Sequence, residues 1–133
     1  MDEIIRMPYF DHEKLDVYQT AVEFVVFIEA TVKQFPRGRS YLVDQLQRAA
    51  SSIVLNIAEG AGEYSANEKI RFYRMARHSA TECAGILDIC KRLNFIDENR
   101  SSKSRDLLLR IVSMLTKMAR QPSVTQTGMQ TFT

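Results

Sequence analysis

Hydrophobic and polar positions recur at helical spacing along most of the chain. The clearest stretch runs from Asp44 to Gly60, DQLQRAASSIVLNIAEG, with apolar residues at Leu46, Ala49, Ala50, Ile53, Val54 and Ile57. Their alternating steps of three and one mark a single buried stripe on an α-helix. Gln45, Arg48, Ser52, Asn56 and Glu59 form a second, polar stripe beside it. Ala49 and Ala50 are small enough to let a neighbouring backbone approach. Gly60 and Gly62 are expected to stop this helix, because glycine takes the left-handed, helix-ending conformation at little cost. The helix is placed from about Tyr41 to Glu59.

The same pattern predicts three more helices. The first runs from Asp11, as N-cap, to about Gln34, with Leu15, Tyr18, Val22, Val25 and Val32 as its core stripe. Ala21, Phe24, Val26, Phe27 and Ile28 widen its apolar surface beyond one face. That surplus points to a helix buried twice, once in its own subunit and once against another copy. Phe24, Phe27 and Ile28 are the candidate interface residues. The third helix spans about Ala66 to Leu93, opened by a capping-box pattern of Ser65 and Glu68. Its line is Phe72, Ala76, Ser79, Cys83, Ile86, Cys90 and Leu93. The fourth runs from near Ser102, or as early as Asp97, to about Arg120, burying Leu107, Leu108, Ile111, Leu115 and Met118.

Short connections between amphipathic helices predict an all-α fold, an antiparallel up-down-up-down four-helix bundle. It occupies residues 11–120, between an N-terminal arm at 1–10 and a disordered tail at 121–133. A length of 133 residues and a hydrophobic content of 45% suit one domain with a proper core. No apolar run approaches the roughly 20 residues of a membrane span. The acidic start, MDEIIRMPYF, lacks a signal-peptide layout, so the expected location is cytoplasmic.

The ordered run Gln45, Arg48, Ala49, Ser52, Asn56, Glu59, Gly60 resembles a known signature. It is similar to that of the small bacterial four-helix proteins encoded in intervening sequences of 23S ribosomal RNA genes. Leu15 to Tyr18, Phe35-Pro36, Tyr41-Leu42, Phe72, Ala76, Ser79 and Glu82 extend the resemblance over roughly residues 10 to 120. It implies a cyclic homopentamer. Through relatives that assist diversity-generating retroelements, it also implies basic surfaces that engage nucleic acid and a reverse transcriptase. The loop after Gly60, often basic in such relatives, here contains Glu63.

Candidate chemistry changes the picture little. His78, Glu82 and Arg74 lie within reach of one another on one helix, which is far more often a surface contact than a metal site. No Glu-x-x-His repeat, phosphate-cradling glycine loop or nucleophile–base pattern occurs. The expectation is no enzyme, no cofactor and no bound metal. Cys83 and Cys90 lie about 10 Å apart along one helix, too far for a disulfide, and read as core thiols. Arg48, Ser52, Asn56, Glu59, Ser79 and Glu82 are expected to form a packing network or an interface.

The net charge of +2 is unevenly spread. Residues 1–35 carry seven acidic and three basic side chains, whereas residues 91–120 carry three acidic and eight basic. Candidate phosphate contacts are Arg37, Arg39, Arg48, Lys69, Arg71, Arg74, Arg77, Arg105, Arg110 and Lys117, with Lys103 and Arg120 nearby. The resulting expectation is a non-enzymatic oligomeric adaptor that binds RNA or DNA through basic helix faces. The alternatives are a homo-oligomeric protein-interaction module, or a small-molecule or metal-binding bundle using Asn56, Glu59 and Glu82.

Overall fold

A computed structural model describes residues 10–120 of the chain. The expected arm (apart from Phe10, which is exposed) and the expected tail lie outside the described residues. A short 3-10 turn, Asp11–Lys14, leads into α1 (Asp16–Val32), α2 (Ser40–Ala61), α3 (Ala66–Arg92) and α4 (Glu98–Met118). Each helix packs against its two neighbours, α1 on α2, α2 on α3, α3 on α4 and α4 back on α1. This is the four-helix bundle with short connections that the periodicity predicts. The α2–α3 seam is the most extensive.

Helix α2 buries Leu46, Ala49, Ala50, Ile53 and Ile57 as its pattern requires, with Val54 half-buried. Its end differs from expectation. Gly60 is an interior helical residue and Gly62 has an ordinary right-handed φ of −85°. Lys69 closes the helix instead: its Nζ donates to the carbonyls of Ala61 at 2.9 Å and Gly60 at 3.4 Å. A cation at these carbonyls also opposes the negative end of the helix dipole. The left-handed end belongs to α3, where Asn94 has φ of 63°. There the Phe95 amide donates to the Cys90 carbonyl and the Asn94 amide to the Lys91 carbonyl, the bonding of a Schellman end.

The core stripe of α1 is rotated from the expected one. Val17, Ala21, Phe24, Ile28 and Thr31 are the residues turned fully inward, with Thr20 beside them. Leu15, Tyr18, Val22, Val25 and Val32 are only half-buried flanks. Two threonines hide the true stripe in the sequence. Thr20 and Thr31 donate their hydroxyls to the carbonyls of Asp16 and Phe27 one turn back, which makes them acceptable inside. Asp11 belongs to the 3-10 turn, and α1 starts behind Leu15 without a side-chain cap.

Helix α3 starts where the capping pattern places it, with Ser65 Oγ accepting from the Glu68 amide at 3.3 Å. Its buried line includes Ile70, Tyr73, Ala80 and Leu87, while Leu93 is exposed. Helix α4 takes the earlier of its two expected starts, since Asp97 Oδ1 accepts from the Arg100 amide at 2.8 Å. At this end of the bundle the α1–α2 and α3–α4 connections meet. Phe35 and Phe95 pack with ring centroids 5.6 Å apart, and the Arg39 guanidinium covers Phe95 at 5.0 Å.

Candidate interaction surfaces

The polar stripe of α2 resolves into two parts. Ser52 and Asn56 turn toward α3, where Ser52 Oγ and Ser79 Oγ lie 2.8 Å apart. Asn56 Nδ2 donates to Ser52 Oγ at 3.0 Å and to the Ser52 carbonyl at 2.9 Å. Small hydroxyl side chains at the seam let the two backbones approach and keep their polar atoms paired. Arg48, Glu59 and Glu82, expected in the same network, are exposed and join no hydrogen bond or ion pair among the described residues. Arg74, His78 and Glu82 are likewise exposed, with no bond uniting them. Among the described residues no group of three His, Cys, Asp or Glu side chains is placed to hold a metal ion.

The expected phosphate contacts also divide. Several are occupied within the subunit: Lys69 at the end of α2, Arg39 on Phe95, and Arg77 on α4 through Thr116 Oγ1 at 3.4 Å. Arg71 is held by Glu68 at 2.9 Å and lies 4.5 Å over the Phe72 ring. Its guanidinium is held even more firmly protonated than usual, chiefly by that hydrogen bond to Glu68. Arg37, Arg48, Arg74, Arg105, Arg110 and Lys117 remain exposed and unpaired among the described residues. Arg37 lies in the α1–α2 turn and Arg48 on the outside of α2, so neither joins the rest.

The remaining four lie on α3 and α4. The Arg77–Thr116 bond sets the register of these antiparallel helices. Arg74 and Arg120 therefore share one end of their seam, each a turn beyond that bond. Arg105 borders a groove of about 360 Å³ further along, floored by Ala80, Ala84, Leu87, Leu108 and Val112. Arg110 lines a shallow groove between α4 and α1 that also contains Asp16 and Glu23, and Lys117 is exposed near the end of α4.

One structural cation escaped the sequence reading. Arg100 Nη1 donates to Thr31 Oγ1 at 2.7 Å, and its guanidinium lies 5.2 Å over Phe27. Placing α4 from Ser102 leaves Arg100 in a connection; Asp97 as the N-cap would have put it on the helix. The thiols match expectation, both free and buried. Burial, helped by Glu82, pushes Cys83 up to about 12, and burial alone raises Cys90.

The expected association residues are corrected. Phe24 and Ile28 are both 0% exposed and fill the core of their own subunit, so they offer no surface to a second copy. Phe27 is half-buried beneath Arg100. The apolar surface that α1 does leave outside is centred on Val26, which is 64% exposed. Leu55 of α2, at 63%, and Leu109 of α4 also face outward. No helix is long and apolar enough to cross a membrane among the described residues.

A crystal structure from Bacteroides thetaiotaomicron, of a protein of unknown function from the S23 ribosomal protein family, superposes with a TM-score of 0.73. The match covers 79% of this chain and 99% of that one at 21% identity, a likeness of fold. No functionally curated protein matches the sequence. The family model for the 23S rRNA-intervening sequence protein matches residues 13–117, spanning all four helices. The chain belongs to the 23S rRNA-intervening sequence protein family.

Proposed function

We propose that this protein is a non-enzymatic, self-associating helical adaptor that holds RNA or DNA by its phosphates. The observation that carries the reading is the set of unpaired cations on α3 and α4, Arg74, Arg105, Arg110 and Lys117. Side chains already committed to Glu68, Thr116 or a helix end would have to break those contacts to bind phosphate. These four have nothing to give up. A few phosphate contacts bind weakly alone, and repetition over several joined copies multiplies them. Base specificity is not expected, since arginine and lysine on open helix faces meet backbone and not base edges.

Binding of a fluorescent single-stranded RNA, measured by anisotropy at increasing salt, tests the reading. The affinity should fall steeply with salt, and Arg105→Glu with Arg110→Glu should flatten the slope. Binding that ignores salt, or survives both substitutions, would refute it. The exposed Val26 and Leu55 favour a second reading, a homo-oligomeric protein-interaction module with no nucleic-acid role. Assembled protein that retains no RNA at low salt would select it.

A further inference from the structure

Two helices carry matching rows of side chains on the outside of the bundle. On α1, Val22, Val26, Glu29 and Lys33 recur at steps of four, three and four; on α2, Asp44, Arg48, Ser51 and Leu55 repeat those steps. This spacing holds each row on one flank of its helix. All are exposed except Val22, which is half-buried. Lys33, Asp44 and Arg48 have no ion-pair partner among the described residues. Within the subunit, Gln47 Nε2 donates to Glu29 Oε2 at 3.0 Å, which sets these antiparallel helices level at residues 29 and 47.

We propose that α1 of one copy packs against α2 of the next, about a rotation axis parallel to the bundle. The partner is a second copy of this chain, and the inference rests on the self-association reading given above. Rotation about such an axis leaves every residue at its own height. Levels set inside one subunit therefore hold between subunits, in a two-fold pair or a larger ring. Counting along both helices from residues 29 and 47, Val22 comes level with residue 54 and Val26 with residue 50, so Leu55 and Ser51 stand one residue, about 1.5 Å, from those levels and within side-chain reach. With the same one-residue offset Glu29 reaches Arg48, and Lys33 reaches Asp44.

Each pairing joins apolar to apolar or small, or acid to base. Running the helices parallel would set Val22 against Asp44, Val26 against Arg48 and Lys33 against Leu55, burying charges on apolar groups. The rows thus discriminate between directions as well as attract. The α2 row lines a shallow depression containing Asp44, Arg48, Ser51 and Leu55, a concave surface for the valines of α1. Apolar contact supplies most of the attraction, and the exposed charge pairs set register and direction.

Light scattering coupled to size-exclusion chromatography on the full chain tests the contact. Wild type should be assembled at micromolar concentration. Leu55→Glu and Val26→Glu should each raise the dissociation constant at least about tenfold, with helical content unchanged. Glu29→Arg and Arg48→Glu should each weaken assembly, and the double variant should recover it. Should either charge swap disturb folding, Lys33→Glu with Asp44→Lys repeats the test one turn away. An assembled wild type that none of these variants weakens, or double swaps no better than the singles, overturns this contact while sparing self-association. A monomeric wild type overturns both.

Discussion

Gly60 of α2 lies directly beneath the ring of Tyr73 on α3. A Cβ added at Gly60 would come within 2.7 Å of Tyr73 Cε1 and 3.1 Å of Phe72 Cβ. Tyr73 is buried and Phe72 Cβ is tied to the backbone, so neither can simply swing aside. In an open helix Gly→Ala gains about 1 kcal/mol. Here overpacking costs about 1–3 kcal/mol and should win, making Gly60→Ala destabilising. Urea denaturation checks the sign, and adding Tyr73→Leu should recover part of the loss.

Lys69 separates a structural cation from a binding one. Replacing it by methionine keeps most of the stem but strips the Ala61 carbonyl of its donor and leaves the Gly60 carbonyl with the Glu63 amide alone. Lys69→Met should cost about 1 kcal/mol in stability. RNA affinity should change far less than it does in Arg74→Glu, whose guanidinium has no internal partner. The paired measurements are a thermal melt and an anisotropy titration.

Legibility in the sequence tracked how one-sided each helix is. Helix α2 has one apolar stripe, and its core was readable residue by residue. Helix α1 is apolar nearly all round, so periodicity alone admits two stripes. Phe24 and Ile28 are core, not interface, because Thr20 and Thr31 satisfy their hydroxyls on their own helix and can face inward. The Ser52–Ser79 contact was foreseeable from spacing and side-chain size. Which arginines are already engaged was not, since that depends on residues far along the chain, such as Thr116 for Arg77.

Arg100 clamps α4 onto α1 across 69 residues of sequence, through Thr31 and the face of Phe27. Thr31 is 1% exposed, so losing this charged donor removes a bond at the edge of the core. Arg100→Ala should destabilise by about 1–3 kcal/mol, including loss of the stem packed on Phe27. Arg100→Lys should restore only part, because an ammonium cannot lie flat on the ring and reach Thr31 together. Thermal melts of the two variants provide the comparison.

The buried thiols give a pH dependence with a definite sign. In the folded chain Cys83 stays protonated up to about 12, against an ordinary value of 9.0. Above 9 the unfolded chain releases a proton that the folded chain keeps, so stability is full below 9 and declines toward 12. Cys90 and Tyr73, both raised by burial, act in the same direction. Cys83→Ala should make the decline shallower without abolishing it. At pH 8 both thiols should resist iodoacetamide in the native protein and react in urea, as mass spectrometry would reveal.

The hydroxyl pair at the α2–α3 seam shows how much a small polar contact contributes beside the apolar core. Ser52 Oγ accepts from the Asn56 amide and shares one further hydrogen bond with Ser79 Oγ, for which either hydroxyl can be the donor. Ser79→Ala leaves the Ser52 hydroxyl without this partner at the seam, whereas replacing both serines removes the two hydroxyls together. Each single variant should lose about 1 kcal/mol, and the double should lose less than their sum. A double-mutant cycle by urea denaturation would return a coupling of about 0.5–1.5 kcal/mol. A coupling near zero would mean that the close approach of α2 and α3 rests on Gly60, Ala49 and Ala76 alone, with the serines present only because they are small.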